Sequence, residues 1–222
     1  DPRTGLTAWT QNPALHAYHY ARHTHGWAVP AAEINTTDVI TAANFCDTST
    51  TFTLGVDDVT LPRYRCGLVA ATDADPREVM ADIMETMAGR WGWAGGTLRM
   101  RCGRMATSVW ALDESWVAQR VADNGMLEQA PVVRITNGVP RDQRLNRVVG
   151  KCIDPDQRYQ LLPYPAVQDA ALIAADGAEY AATMDLAGVD HIAHAQHLAS
   201  VAIRQSQAAL RMELTCNLNA YR

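Results

Sequence analysis

The sequence predicts an α+β protein, in which a helix-rich domain with a small antiparallel sheet precedes a mainly β domain with one packed helix. Three observations predict this class. Apolar residues recur at helical spacing in the first hundred positions, and apolar and polar residues alternate in the second half. Capping residues stand where the helices are expected to begin. We place the two domains at residues 9–108 and 118–222.

Two helices near the start of the chain are recognised by local signals. Asn12-Pro13 combines an N-cap residue with proline at the first helical position, and this helix is expected to stop near Gly26. A second helix is expected to begin at Thr36 or Thr37 and to carry Cys46 on its apolar side. Both helices can therefore bury one face in a core.

The third helix has the clearest boundaries. Asp75-Pro76 opens it, Glu78 stands at capping-box spacing, and Gly89 is expected to end it. Its apolar stripe predicts a side that faces the core: Val79, Met80, Ile83, Met84 and Met87.

Strands are expected to follow this helix. Gly95-Gly96 is a turn signal between residues 90–93 and an alternating strand, so these segments predict a hairpin. The apolar residues of that alternation are Leu98, Met100 and Cys102. A further strand of the same sheet is predicted at Tyr64, Cys66 and Leu68.

The second half of the chain is expected to be mainly strand, after a transition at residues 104–125. Strands are predicted at residues 132–136, 146–153, 159–162 and 210–220. One helix interrupts them at residues 190–206, with an apolar face formed by Ile192, Ala195, Ala199, Ala202 and Ile203.

Composition excludes several classes of protein. Of the 222 residues 48% are hydrophobic and 19% are charged, which is typical of a globular chain. The formal net charge of −5 lacks the basic excess of a protein that grips nucleic acid. No signal peptide is apparent, and the apolar runs are too short to cross a bilayer.

Seven histidines suggest a metal site, but their spacing argues against one. The first group is His16, His19, His23 and His25, and only His19 and His23 have the four-residue spacing that lets helical side chains converge on zinc. The other group, His191, His194 and His197, fans around its helix, with His191 bordering the apolar face and His197 facing solvent. We expect no bound metal and no cofactor.

Acidic neighbours suggest acid–base catalysis. The three pairs are Asp57-Asp58, Asp113-Glu114 and Asp154/Asp156. A glycosidase needs two carboxylates that face a sugar from different segments, and adjacent residues in loops do not provide them. Asp154-Pro155-Asp156 is more simply a turn after a strand.

Five cysteines at irregular spacing include no Cys-x-x-Cys pair. Cys46 stands on a helix face, and Cys66, Cys102 and Cys216 stand at inward-facing strand positions, so burial is favoured over nucleophilic catalysis. No catalytic residue is predicted from any of these patterns.

Trp91 and Trp93 form either a sugar platform or the cross-strand face of a hairpin. Their alternation just before Gly95-Gly96 favours the hairpin.

The order of several short motifs resembles the tail-tip attachment proteins of lambda-like long-tailed phages and prophages, the host specificity protein J family. The motifs cover residues 9–155, and each resembles a segment of that family. They are Asn12-Pro13-Ala14, Ala42-Ala43-Asn44-Phe45-Cys46-Asp47, Pro62-Arg63-Tyr64-Arg65-Cys66-Gly67, Asp75-Pro76-Arg77-Glu78-Val79, Gly89-Arg90, Gly95-Gly96-Thr97-Leu98, Asn146-Arg147-Val148-Val149 and Asp154-Pro155.

The resemblance implies a structural component of the virion, made in the host cytoplasm and placed at the tail tip as a central hub. Hubs of this kind are similar to the baseplate hubs of contractile tails. Three copies surround the tail axis, β tube-type domains continue the tail tube, and the helix-rich domain is insertion-like. The implied partners are copies of the chain itself as a trimer, other tail-tip proteins, and DNA that passes without specific binding.

Receptor binding is expected of regions that follow Tyr221-Arg222 in the family. The family has no catalytic residues to carry over, so the chain is expected not to be an enzyme. Two alternatives remain: a carbohydrate-binding or receptor-binding module of the tail tip, and more remotely a tail-associated cell-wall hydrolase.

Overall fold

A computed structural model of the chain describes residues 1–54, 57–104, 119–121, 126–129, 134–137, 144–207 and 210–213. The chain forms two compact units, each built from two stretches of sequence. The first unit is Asp1–Arg104 with Leu145–Ile203, and the second is Met105–Arg144 with Arg204–Arg222. These units are defined by contacts alone, and the division into domains at residues 9–108 and 118–222 stays a prediction.

Two helices open the first unit, and an asparagine caps each of them. Helix α1 spans Pro13–Arg22, and the side chain of Asn12 accepts hydrogen bonds from two backbone N–H groups of its first turn. After a 3₁₀ helix at Ala31–Glu33, helix α2 spans Thr36–Cys46 and is capped by Asn35. Both predicted helices are confirmed, and they pack on each other.

A β-hairpin that the sequence did not predict follows α2. Strand β1 spans Ser49–Leu54 and pairs antiparallel with strand β2 at Asp57–Pro62. Most of its side chains are exposed, and its apolar alternation is limited to Phe52 and Leu54 in β1 and to Val59 and Leu61 in β2. Phe52 is buried, and its ring packs edge-on against His194 at a centroid distance of 5.2 Å. This contact anchors the hairpin to the core.

The segment that follows β2 crosses the first unit without joining a sheet. The strand predicted at Tyr64, Cys66 and Leu68 is therefore wrong. Backbone N–H groups of this segment bind three separate parts of the fold, namely the end of α2, the residue before the α1 cap and the segment before α5, which prevents pairing with one neighbour. Arg63 donates to Thr48, Tyr64 to Cys46, Cys66 to Gln11 and Gly67 to Gly188.

Helix α3 spans Pro76–Glu85, and Asp75 caps it through a hydrogen bond from the N–H of Arg77. Every residue of the predicted apolar stripe is buried, which confirms the stripe as core. The helix ends before Gly89 because Ala88 adopts a φ of 47° and the Gly89 N–H returns to the carbonyl of Met84 at 2.7 Å.

The predicted hairpin after α3 is confirmed. Strand β3 spans Arg90–Ala94 and pairs antiparallel with strand β4 at Thr97–Arg101. Gly95 and Gly96 form the turn with φ values of 60° and 75°, which glycine adopts without steric cost. Strand β4 packs against α2.

The second stretch of the first unit contributes a three-stranded mixed sheet. Strand β8 spans Arg147–Asp154 and lies between antiparallel strand β9 at Gln160–Gln168 and parallel strand β10 at Ala181–Thr183. The strands predicted at residues 146–153 and 159–162 are confirmed, although β9 is longer than expected. A 3₁₀ helix at Pro155–Gln157 joins them, as the predicted turn requires.

Two helices accompany this sheet. Helix α4 at Ala170–Asp176 was not predicted, whereas helix α5 at Ile192–Ser206 was. Ala195, Ala199 and Ile203 lie on the buried face of α5 as expected. Ile192 is 40% exposed, so its predicted place in the core is wrong; it is the first residue of the helix.

The second unit contains two small antiparallel sheets among the described residues. Strand β5 at Gln119–Val121 pairs with strand β6 at Leu127–Gln129, and strand β7 at Arg134–Asn137 pairs with strand β11 at Leu210–Glu213. The strand predicted at residues 210–220 is thus confirmed for its first four positions, and its remainder lies outside the described residues. Residues 134–136 of the strand predicted at 132–136 lie in β7.

The α+β class is confirmed: the described residues contain five α-helices and several small antiparallel and mixed sheets. Within the described ranges, every helix falls short of the length and apolar character that a membrane span requires. The β tube-type and insertion-like assignments stay predictions.

Candidate functional site

A largely buried polar site in the first unit surrounds Asp190, just before α5. Its carboxylate oxygen Oδ2 accepts hydrogen bonds from the Arg65 guanidinium at 3.0 Å and from the Gln11 amide at 3.1 Å. Both charged side chains are largely buried. These three residues, the Asp190 cluster, bring together segments that are far apart in the sequence. The ion pair therefore holds the tertiary structure together.

His194 lies beside this cluster and is almost completely buried. Its Nε2 donates a hydrogen bond to the carbonyl of Pro62 at 2.7 Å. Burial lowers the pKa of His194; the Pro62 contact raises it, and the charges of His191 and Arg65 lower it further. Its Nδ1 has no hydrogen-bond partner among the described residues. The neutral imidazole thus serves as a donor that links α5 to the end of β2.

His197 does not face solvent as predicted. Its ring packs against Phe52 at 5.4 Å and Tyr64 at 5.7 Å between centroids. The prediction is wrong because the β1–β2 hairpin and the segment after it cover this side of α5, and neither was expected there. His191 is half-buried, as a residue at the border of the apolar face should be.

His19, His23 and His25 line a shallow groove of about 200 Å³ together with residues 70–72. His19 and His23 have ring centroids 5.4 Å apart, and the same distance separates His23 from His25. Among the described residues, no three His, Cys, Asp or Glu side chains converge closely enough to hold a metal ion. The absence of a bound metal stays a prediction.

The acidic pairs do not meet in a common site within the described part of the chain. Asp57 and Asp58 begin β2, and Asp58 accepts a hydrogen bond from Thr53 across the hairpin at 2.9 Å. Asp154 caps the 3₁₀ helix at Pro155–Gln157. Asp113-Glu114 lies outside the described residues. The described pairs therefore have local structural roles.

Most of the described cysteines have buried thiols. Cys46, Cys66 and Cys152 are buried, and Cys102 is half-buried. Burial raises the pKa of Cys66 and of Cys152, which keeps these thiols protonated. Burial of Cys46 and Cys66 is confirmed, but Cys66 is not in a strand. Cys216 lies outside the described residues.

A second surface groove, of about 530 Å³, lies between α3 and β3. Its polar side chains are Asp82, Glu85 and Arg90, and Trp91 supplies an aromatic wall. Desolvation raises the pKa of Glu85, and the neighbouring Asp82 raises it further. Sequence patterns missed this α3–β3 groove because its residues come from the exposed side of a helix and from the next strand.

The tryptophans of β3 occupy the cross-strand face that the sequence predicted. Trp91 stands opposite Met100 and Trp93 opposite Leu98. Trp91 also packs edge-to-face against Trp27 at 4.5 Å between ring centroids. Trp93 is 50% exposed and does not line the α3–β3 groove. Trp91 is therefore the tryptophan of this hairpin that could contact a groove ligand.

Together these features define an α+β protein whose buried polar side chains hold segments of the fold together. The model of the family described as "Putative phage tail protein" matches residues 75–221, which is more than half of the chain. The chain belongs to this family of phage tail proteins, and its role is that of a structural component of the phage tail. No curated protein matches it significantly. The predicted resemblance is confirmed at the level of a phage tail protein.

Proposed function

We propose that this chain is part of the central hub of the tail tip, where three copies surround the tail axis and continue the tail tube. The observation that carries the proposal is the phage tail family match over residues 75–221. It overlaps the ordered motifs that resemble the tail-tip attachment family. The proposed partners are two further copies, other tail-tip proteins and DNA in transit, with receptor contacts made by regions outside this chain.

The charge of the chain is compatible with DNA passage. Proteins that grip DNA neutralise phosphates with Lys and Arg, and that attraction would hinder a moving genome. This chain has 24 acidic and 19 basic side chains, giving a net charge of −5. A tube wall of this composition would let DNA pass without specific binding.

Electron cryo-microscopy of virions from the phage or prophage that carries the gene tests the hub directly. The expected result is density for the first compact unit in three copies around the tail axis at the distal end. One copy, or density away from the axis, would contradict the hub. Labelling of the same virions with an antibody to the chain checks that the density is assigned to the right protein.

The proposed role is structural and not catalytic. Three side chains with possible catalytic chemistry are engaged in the fold: Asp190 pairs with Arg65, His194 donates to Pro62, and Cys66 is buried. Purified chain should therefore leave peptidoglycan intact in a zymogram. A cleared band that one Asp or Glu substitution abolishes would show the chain to be a cell-wall hydrolase.

The α3–β3 groove favours carbohydrate binding as a second candidate function. A sugar ring presents C–H groups that stack on an aromatic face, while its hydroxyls donate to carboxylates and accept from guanidinium. Trp91, Asp82, Glu85 and Arg90 provide these groups in one groove. In a glycan array followed by NMR titration, Trp91→Ala should abolish binding and Trp93→Ala should retain it. Equal loss in both variants, or no glycan bound by the wild type, would exclude this function.

A further inference from the structure

The outward face of the β3–β4 hairpin carries three arginines. Arg90 stands directly opposite Arg101 in the antiparallel register, and Gly92 stands opposite Arg99. Residues directly opposite each other lie on the same side of a sheet, and so do residues two positions apart in one strand. Met100, between two of these arginines, points the other way and is buried in the core. The arginines therefore share the face of the hairpin that lies away from the core.

Only one of these three arginines has an acidic partner among the described residues. The Arg99 guanidinium donates to both carboxylate oxygens of Asp38, at 2.7 and 3.2 Å. Arg90 and Arg101 are exposed, and neither belongs to an ion pair in the described part of the chain. Like charges directly opposite each other destabilise a pair of antiparallel strands. The hairpin thus holds two uncompensated positive charges side by side, and we call Arg90 and Arg101 the arginine pair.

The arginine pair is not simply part of the α3–β3 groove. Arg90 lines that groove, whose carboxylates belong to Asp82 and Glu85, but neither carboxylate forms an ion pair with Arg90 within the described ranges. Arg101 is not among the residues that line the groove. A substitution of Arg101 therefore tests the arginine pair without changing the lining of the proposed sugar site.

The β1–β2 hairpin of the same unit carries the opposite charge. Asp57 and Asp58 are the first two residues of β2, and both are exposed. Asp58 accepts a hydrogen bond from the Thr53 hydroxyl, whereas the side chain of Asp57 has no partner among the described residues. Asp57 pairs with Leu54 beside the turn, so both carboxylates lie at the end of the hairpin that is remote from α2. We call Asp57 and Asp58 the acidic pair.

We propose that the acidic pair of one copy binds the arginine pair of the next copy around the tail axis. The inference rests on the proposed hub of three copies and names the surfaces that would join them. Within one copy the two pairs form no ion pair with each other in the described residues. Two different surfaces that meet form a heterologous contact, which generates a ring when the rotation closes. In a ring of three, every acidic pair meets one arginine pair.

Charge complementarity favours a second copy over a polyanion as the occupant of the arginine pair. A polyanion would add negative charge to a chain whose net charge is already −5, and it would leave the acidic pair without a partner. A second copy neutralises both surfaces at once. Two guanidinium groups also match two carboxylates in number, and this combination gives strong, charge-assisted hydrogen bonds.

Sedimentation velocity of the full chain over a wide range of concentration tests the contact. We expect a monomer–trimer equilibrium at about 50 mM salt that shifts toward monomer at about 500 mM, because salt screens exposed charges. Arg101→Glu and Asp57→Arg should each raise the concentration needed for association by about tenfold. A chain with both substitutions exchanges the two charges and should regain most of the association.

Two control variants make the same changes of charge at other exposed positions. Arg77→Glu and Asp73→Arg should associate as the wild type does. A wild type that stays monomeric at both salt concentrations, or controls that weaken association as much as the test variants, would overturn the proposal. So would an Arg101→Glu chain that associates normally but no longer binds polyphosphate, since the arginine pair would then be a site for polyanions.

Cross-linking locates the contact without disturbing its charges. Arg101→Lys keeps the positive charge, and a carbodiimide should join the introduced amine to Asp57 or Asp58. In a mixture of ¹⁵N-labelled and unlabelled chains, mass spectrometry should show that the joined peptides come from different copies. Links to other carboxylates alone would contradict the proposal. A virion map with three copies around the axis but with these two hairpins apart would also overturn the contact, while leaving the hub intact.

Discussion

The Arg65 guanidinium donates a hydrogen bond at 3.0 Å to the Asp190 carboxylate and thereby joins the segment after β2 to the start of α5. The side chains of Arg65 and Asp190 are only 19% and 11% exposed. Solvent therefore screens the pair weakly, and removing one partner leaves the other charge buried. The stability of the first unit should depend on this contact more than on any surface ion pair.

Asp190→Ala should lower the free energy of unfolding by about 3 kcal/mol, because it strands the Arg65 charge in the interior. Urea denaturation measures the change. Arg147–Glu179 is the matched control, since its side chains are 35% and 50% exposed, and Glu179→Ala should cost less than about 1 kcal/mol. Equal losses of unfolding free energy in the two variants would show that the Arg65–Asp190 pair stabilises the fold no more than a surface ion pair does.

Gly150→Ala should destabilise the β8–β9–β10 sheet. A Cβ at this position would collide with the backbone carbonyl of Met184 and stand 3.0 Å from the Tyr164 hydroxyl. That hydroxyl donates to the same Met184 carbonyl, so neither group can move freely. The expected loss is about 1–3 kcal/mol in thermal or urea unfolding.

Gly92→Ala provides the control for this prediction, because a Cβ at Gly92 in strand β3 would meet no atom within 4 Å. Its unfolding free energy should stay within about 0.5 kcal/mol of the wild type. If Gly150→Ala were tolerated equally well, the close approach of Met184 to β8 would not be a requirement of the fold.

Met84→Asp should prevent folding of the first unit. Met84 is only 3% exposed on the buried side of α3, and a carboxylate placed there without a partner costs several kcal/mol, about 3 or more. Ala81→Asp introduces the same side chain on the exposed side of α3 and should remain soluble and folded. Circular dichroism and gel filtration compare the two variants. A normally folded Met84→Asp protein would mean that the apolar stripe of α3 is an exposed contact surface and not part of the core.

Stability should fall as the pH is lowered below about 6.5, the pKa of an unfolded histidine. Burial lowers the pKa of His194, so the folded state keeps this imidazole neutral while the unfolded chain takes up a proton. The stability that His194 contributes is complete above about pH 6.5 and is lost as the pH falls toward the folded pKa. Arg65 and His191 oppose its protonation, and Asp190 favours it.

His194→Gln retains a donor for the Pro62 carbonyl but cannot titrate. Its loss of melting temperature between about pH 7.5 and 5 should be smaller than that of the wild type. Some loss should remain, since burial also lowers the pKa of His191. His25→Gln, at an exposed position, should behave as the wild type does. An unchanged pH dependence in His194→Gln would exclude His194 as its source.

The sequence by itself determined the elements whose signals are local. Asn12 and Asp75 accept hydrogen bonds from backbone N–H groups two or three residues further along the chain, and Gly95-Gly96 turns the chain between adjacent strands. Such contacts form between neighbours in sequence, so residue type and spacing suffice to predict them. The apolar stripe of α3 was predictable for the same reason, because residues that recur with a 3.6-residue period lie on one side of a helix.

Only the tertiary structure decided how the segments between these elements pack and which distant residues they contact. The backbone of residues 63–67 binds three separate parts of the fold, and the Arg65–Asp190 pair joins residues 125 positions apart. The same applies to His197, whose ring packs against Phe52 of the β1–β2 hairpin. No local pattern encodes these contacts, because each depends on where a distant segment packs, and packing is set by the burial of the whole core.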